Sequence, residues 1–179
     1  VKSGSQPLNS VQDFQVIKKI AEVSNWKFKG SGGGVKDISL LARGGYVQKV
    51  LSFINFGAFK SHKIIVNFGN GAAGPTFDAI ADVLKKNKVP IEFIRMHHDV
   101  DHTFPNGIPN PLLIENHGPM REMVLHHGAD FGIAFDGDFD RCFFFDEKGN
   151  FVSGEYIVGL LASVFLDKEP YAQIVHDPR

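Results

Sequence analysis

A single cysteine, Cys142, leaves this 179-residue chain with no partner for an internal disulfide, which fits a reducing compartment. No apolar run approaches the roughly 20 residues that span a bilayer, and no secretory signal is visible. Net charge is almost absent: 19 Lys and Arg against 20 Asp and Glu leave −1. That gives no electrostatic reason to expect nucleic acid or an anionic membrane as partner. Methionine is missing from the first position, where Val1 stands, so the chain is expected to be cut from something longer. Its 43% hydrophobic content suits one globular domain, or one domain with pieces of its neighbours.

The chemistry concentrates in Asp136-Gly137-Asp138-Phe139-Asp140-Arg141, between the apolar runs Phe131–Phe135 and Cys142–Phe145. Three carboxylates on alternate residues repel one another, and a bound divalent cation removes that penalty. Hard oxygen ligands suit Mg²⁺, Mn²⁺ or Ca²⁺ better than zinc. Arg141 only donates hydrogen bonds, so it ligates no metal but suits a phosphate held beside one. Two other readings compete. A surface turn between strands uses aspartate freely, although it gains nothing from three together. A calcium loop of the EF-hand kind would find its glutamate at Glu147. It would, however, place Arg141 where the sharp turn needs glycine, and the flanks are β-like.

The rest of the chain alternates in type. Val11–Val23 carries a helical stripe at Val11, Phe14, Ile17, Ile20 and Ala21. Lys27–Lys36 reads as a flexible linker, with Gly30, Gly32, Gly33 and Gly34 around Ser31. Asp37 is placed to cap a helix whose apolar positions run from Leu40 to Ile54, weakened by Gly44-Gly45. Then follow a strand at Lys63–Asn67, a helix at Pro75–Lys86 and a strand at Ile91–Met96. A helix ending near Gly128 leads to a buried strand at Phe131–Phe135. Next come a hairpin turning at Glu147–Asn150 and an amphipathic helix at Glu155–Leu166. Ile174–Arg179 has the look of a strand just finished. Alternating strands and helices predict helices packed on a sheet, with ligands at the carboxyl ends of the strands, where Asp136 lies.

Two further motifs need weighing. Gly69-Asn70-Gly71-Ala72-Ala73-Gly74 matches G-x-G-x-x-G between a strand and a helix, as a dinucleotide fingerprint would. The acidic residue it asks for is badly placed: Glu92 lies inside the next strand, and Asp99 is late. A tight strand-to-helix turn is the simpler reading. His97, His98 and His102, with Asp99 and Asp101 among them, are residue types of a transition-metal site at no standard spacing. A solvated loop after a strand explains them. His126 and His127 close a helix, where imidazolium suits the dipole.

Three segments in order are more specific than any one of them: the glycine loop Asn67–Gly74, then Phe104–Pro111, then Ala134–Arg141. Together they resemble the second domain of the α-D-phosphohexomutases, most of all the bacterial phosphomannomutase branch. The resemblance runs from about residue 37 to Pro178. It implies a three-layer α/β/α sandwich with a mixed sheet, and flanking pieces of two neighbouring domains. Residues 1–36 would be the end of the first domain, 37–150 the second, and 151–179 the opening of a third. It further implies a cytoplasmic enzyme that interconverts mannose 6-phosphate and mannose 1-phosphate through a phosphoserine. Asp136, Asp138 and Asp140 would ligate Mg²⁺, and Arg141 would contact the transferring phosphoryl group. Many members have glycine where Phe139 stands; phenylalanine occurs in the phosphomannomutase branch, and its ring is expected to pack beside the loop. The serine loop that carries the phosphoryl group is not in this chain, so the segment alone is expected to turn over no sugar phosphate. The alternative is a stand-alone cation- or nucleotide-binding module.

Overall fold

The computed structural model describes residues 3–23 and 32–176. The chain divides into two compact units, Val1–Ile38 and Ser39–Arg179. The first half of the expected glycine linker, residues 27–31, lies outside the described residues.

In the first unit, helix α1 spans Gln12–Val23. Asn9 starts it with a reciprocal cap. Its Oδ1 accepts from the Val11 and Gln12 amides at 2.9 and 2.8 Å, and its own amide donates to Asp13 Oδ2 at 2.7 Å. The predicted stripe forms, with Val11, Phe14, Ile17 and Ile20 exposed along it.

The second unit is built on a five-stranded mixed sheet in the order β2-β1-β3-β4-β5. The strands are β1 (His62–Asn67), β2 (Ile91–Met96), β3 (Phe131–Phe135), β4 (Cys142–Phe145) and β5 (Phe151–Val152). β1 runs parallel to β2 and β3, with Ile64 opposite Phe93 and Phe131, whereas β3, β4 and β5 pair antiparallel. Alternation along β1 explains the layering. Ile64 and Val66 join Phe68, Phe77, Ala81 and Phe135 in a core under α3 (Gly74–Lys86). Ile65 joins Met120, Val124, Ala134 and Phe145 under α4 (His117–His127), on the opposite face. The chain therefore forms the expected three layers. α2 (Ser39–Leu51) lies alongside α3, its Val47 and Leu51 facing Ala79 and Val83.

Local chemistry ends these elements where the sequence expects it to. Pro75 sits in the first turn of α3, and Gly128 caps α4 in the left-handed region at φ 56°. The hairpin turn is held by Asp146 Oδ1, which accepts from the Lys148 and Asn150 amides at 3.0 and 2.7 Å. Phe68, fully buried, meets Phe77, Phe135 and the His98 ring edge-on or tilted. Replacing Phe68 with alanine should cost about 3–5 kcal/mol of stability, read as a lower denaturant midpoint at unchanged slope.

Three expectations need correction. α5 (Gly154–Lys168) is not amphipathic: none of its residues is buried, and Tyr156, Val158, Leu160, Leu161, Val164 and Phe165 are all exposed. From Tyr156 to Leu166 only Gly159 and Ser163 interrupt the apolar side chains, so no single face is selected. Ile174–His176 forms no strand, because no neighbouring strand in the described residues pairs with it; Asp177–Arg179 lie outside them. The segment after β2 is less solvated than expected. His98 Nε2 lies 2.8 Å from Asp78 Oδ2, while Arg95 Nε donates to Asp78 Oδ1 at 2.9 Å.

Candidate metal centre

β1 and β3 are parallel neighbours, so the loops that follow them emerge at the same sheet edge. This brings the three motif segments together. Gly69, at φ 56°, leaves no room for a side chain because the Pro109 ring fills the place of its Cβ. A Cβ on Gly71 would lie 2.6 Å from the Gly137 oxygen, and the Ala72 amide donates to that same oxygen at 3.0 Å. Gly137 is flanked in turn by Pro109 and Phe104. The glycine loop is therefore a bed for the aspartate loop, and Gly137 occupies the close approach that a dinucleotide phosphate would need. Glu92, the better spaced acidic residue, instead pairs with Lys63 at 3.9 Å.

Asn70 ties the bed together in a way the sequence did not reveal. It is buried with φ 57°, its Nδ2 donates to the Asp99 carbonyl at 2.8 Å, and its Oδ1 accepts from Asn106 Nδ2 at 2.8 Å. The only hint in the sequence is asparagine's tolerance of the left-handed region.

Asp136 stands directly after β3 and is 1% exposed, the one charged residue in the core of the described chain. A carboxylate removed from water needs strong partners. Arg141 provides them: its amide donates to Oδ1 at 3.0 Å and its Nε donates to Oδ2 at 2.7 Å. Burial pushes the Asp136 carboxyl up, but the hydrogen bonds from Arg141 outweigh it and hold the group below the usual carboxylate range. Asp140 moves the other way, raised first by its hydrogen bond with Asp136, then by slight burial and the charge of Asp138. Asp136 and Arg141 also raise each other's preference for charge, since the guanidinium is shifted upward by that same hydrogen bond.

Asp138 and Asp140 are exposed, and one carboxylate oxygen from each of the three aspartates lies within 4.8 Å of the others. Octahedral Mg²⁺ with bonds of 2.0–2.1 Å sets ligand oxygens about 2.9 Å apart at right angles and about 4.2 Å apart across the ion. A small contraction of this cluster meets that geometry, and an all-carboxylate donor set suits a hard divalent ion. The residues fit the metal. Arg141 reaches Asp140 Oδ1 at 3.4 Å through Nε as well. Half of the Arg141 side chain is exposed. No second cluster of metal-ligating side chains occurs among the described residues, the histidine segment included.

Beside the bed, under the proline-rich loop, lies a cavity of about 50 Å³ lined by Asn67, His97, Asn106, Pro109, Asn110 and Asn116. It has room for a few waters and is far too small for a sugar phosphate. Burial there lowers the pKa of His97. Cys142, which lines the apolar groove beside α5, has its thiol pushed up to about 11 by burial despite the exposure of the residue as a whole. It should react with iodoacetamide at pH 8 many times more slowly than the same thiol in urea, measured by mass spectrometry.

The fold and these loops define a class: a mixed-sheet α/β domain that presents an oxygen ligand cluster, backed by arginine, at its strand ends. Residues 44–149 match the family model for phosphoglucomutase/phosphomannomutase, alpha/beta/alpha domain II. The chain belongs to the phosphoglucomutase/phosphomannomutase family. It is 49% identical over its whole length to a phosphomannomutase of Salmonella montevideo, and 46% to one of Escherichia coli strain K12, in each case covering 39% of the relative. Over 75% of the chain it is 52% identical to a protein of Xanthomonas campestris described as phosphohexose mutases, covering 29% of it. A crystal structure of a phosphoglucomutase/phosphomannomutase family protein from Burkholderia thailandensis shares the fold. Its TM-score is 0.66 at 24% identity, over 90% of this chain and 33% of that one. The chain thus spans about two fifths of the length of the curated phosphomannomutases it matches.

Proposed function

We propose that this chain is the metal-holding part of a cytoplasmic phosphomannomutase that interconverts mannose 6-phosphate and mannose 1-phosphate. In this reading residues 37–150 are the second domain, 1–36 the end of the first, and 151–179 the opening of the third. The observation that carries it is the convergence of three aspartate oxygens within 4.8 Å on a bed formed by the other two motif loops. Asp136, Asp138 and Asp140 would hold Mg²⁺, which when bound supplies charge neutralisation for phosphoryl transfer.

The chain's own residues contribute positioning. Asp136, fixed by two hydrogen bonds, is the buried member of the trio, while the exposed Asp138 and Asp140 present their carboxylates at the surface, where an ion would reach them. Arg141 uses Nε to hold Asp136 and keeps its Nη pair for a phosphoryl oxygen. The phosphoserine donor and the groups that select the sugar would come from outside these residues, and the chain alone would turn over no sugar phosphate.

The test is turnover of mannose 1-phosphate by a full-length enzyme carrying this segment, alongside Mg²⁺, Ca²⁺ and NAD titration of the segment. Mg²⁺-dependent turnover with no NAD binding supports the reading; saturable NAD binding at micromolar levels would overturn it. Arg141→Lys should reduce turnover by about 10–100-fold, since a charge-assisted hydrogen bond is worth about 1.5–3 kcal/mol and ammonium cannot serve Asp136 and a phosphate at once. Its Mg²⁺ affinity, measured by calorimetry, should change far less.

A further inference from the structure

Phe139 separates Asp138 from Asp140 and is a half-buried side chain between two exposed ones. Its backbone is left-handed, at φ 65°, a conformation that residues with a Cβ rarely adopt. Its amide closes the turn by donating to the Asp136 carbonyl at 3.3 Å. The ring meets Phe135 edge-to-face, with centroids 4.9 Å apart and planes at 89°, and packs on the core that includes Phe68 and Phe77. Asp138 makes no hydrogen bond among the described residues, and Asp140 is drawn only toward Asp136 and Arg141. The backbone between these two carboxylates is therefore steered by the one side chain there that has a core to grip.

We propose that Phe139 is a positioning residue: its ring anchors the left-handed turn, and so sets Asp138 and Asp140 in the directions a hard divalent cation requires before the cation arrives. The inference rests on the metal reading above and adds a distinct claim. A glycine here would relieve the backbone yet weaken the site, because the ordering that the ring provides would have to be supplied at the moment of binding. A strained backbone held by its surroundings at such a loop is preorganisation in physical form.

The experiment is calorimetric titration of the chain with Mg²⁺ for the natural sequence and for Phe139→Gly, Phe139→Ala and Phe139→Leu, with amide hydrogen exchange of residues 138–140 in metal-free protein. Phe139→Gly should bind Mg²⁺ about tenfold more weakly, with faster exchange confined to the loop. Phe139→Leu, which keeps an apolar anchor, should recover most of the affinity. Thermal unfolding of each metal-free variant separates this local effect from a general loss of stability. If Phe139→Ala fails to fold, the glycine and leucine variants still decide the matter. Phe139→Gly binding Mg²⁺ as tightly as the natural chain, with unchanged loop exchange, overturns the anchoring claim while leaving the metal reading intact. A natural chain and a full-length enzyme that both show no saturable Mg²⁺ binding overturn the metal reading, and the inference with it.

Discussion

Replacing Asp136 with asparagine should weaken Mg²⁺ binding by about 10²–10³-fold and remove turnover in a full-length enzyme that carries it. Changing a group that only orients a metal ligand typically costs about 10–100-fold in metal affinity, and removing the charge of a ligand itself costs more. The reason is geometric as well as electrostatic. Both oxygens of Asp136 accept from Arg141, at 2.7 and 3.0 Å, and an asparagine amide would turn a donor toward one of those donors. The fixed member of the trio would then lose both its charge and its anchor. Calorimetry on the variant measures the affinity, and a coupled assay measures the turnover.

The same substitution carries a pH signature. Asp136 has its folded pKa below the ordinary value of about 3.9. It therefore adds stability that is fully present above about pH 3.9 and is lost as pH falls through the lower folded value. Asp140, raised in the folded state, has the opposite sign: it favours the fold at low pH, and that contribution is lost as pH rises through its folded value. In Asp136→Asn the first contribution disappears, and the largest cause of the second goes with it. Metal-free stability measured from pH 2 to 6 should thus fall less steeply on the acid side than in the natural chain.

Gly71→Ala should destabilise the second unit and loosen the metal site together. The new methyl would lie 2.6 Å from the Gly137 oxygen and 2.9 Å from its Cα, and both are backbone atoms that cannot rotate away. Forcing extra volume into such a contact costs about 1–3 kcal/mol, which for a chain of this size lowers the melting temperature by roughly 2–12 °C. Relief can come only by parting the two loops, which breaks the bond from the Ala72 amide to Gly137 and shifts the backbone between Asp136 and Asp138. Gly44→Ala is the control. That glycine lies within α2 with nothing inside 4 Å of an added Cβ, and the change should stabilise the chain by about 0.5–1 kcal/mol. If Gly71→Ala melts and binds Mg²⁺ as the natural chain does, the bed is not what supports the loop.

The contrast between these two glycines shows what could be read in advance. Gly71 belongs to a motif recognisable along the chain, yet what it touches, Gly137, is distant in sequence and can be found only in the folded molecule. The aspartate trio was legible because its members are adjacent and follow an apolar strand, so one local turn brings them together. The strands and α3 were legible for a similar reason: short apolar runs and a first-turn proline act locally. Asn70 and His98 were not, since their partners Asp99, Asn106 and Asp78 lie 20 to 36 residues away. α5 misled because its apolar residues point in every direction, so the local pattern names no face to bury. The glycine fingerprint was ambiguous for a different reason, because the same small residues that admit a phosphate also admit another loop.

The most direct test is a Mn²⁺ soak of crystals of the full-length protein, read by anomalous scattering. The account predicts one strong peak among the carboxylates of Asp136, Asp138 and Asp140, with Arg141 still bonded to Asp136. A trio left without a peak while manganese binds elsewhere, or its carboxylates turned apart toward bulk solvent, would contradict it.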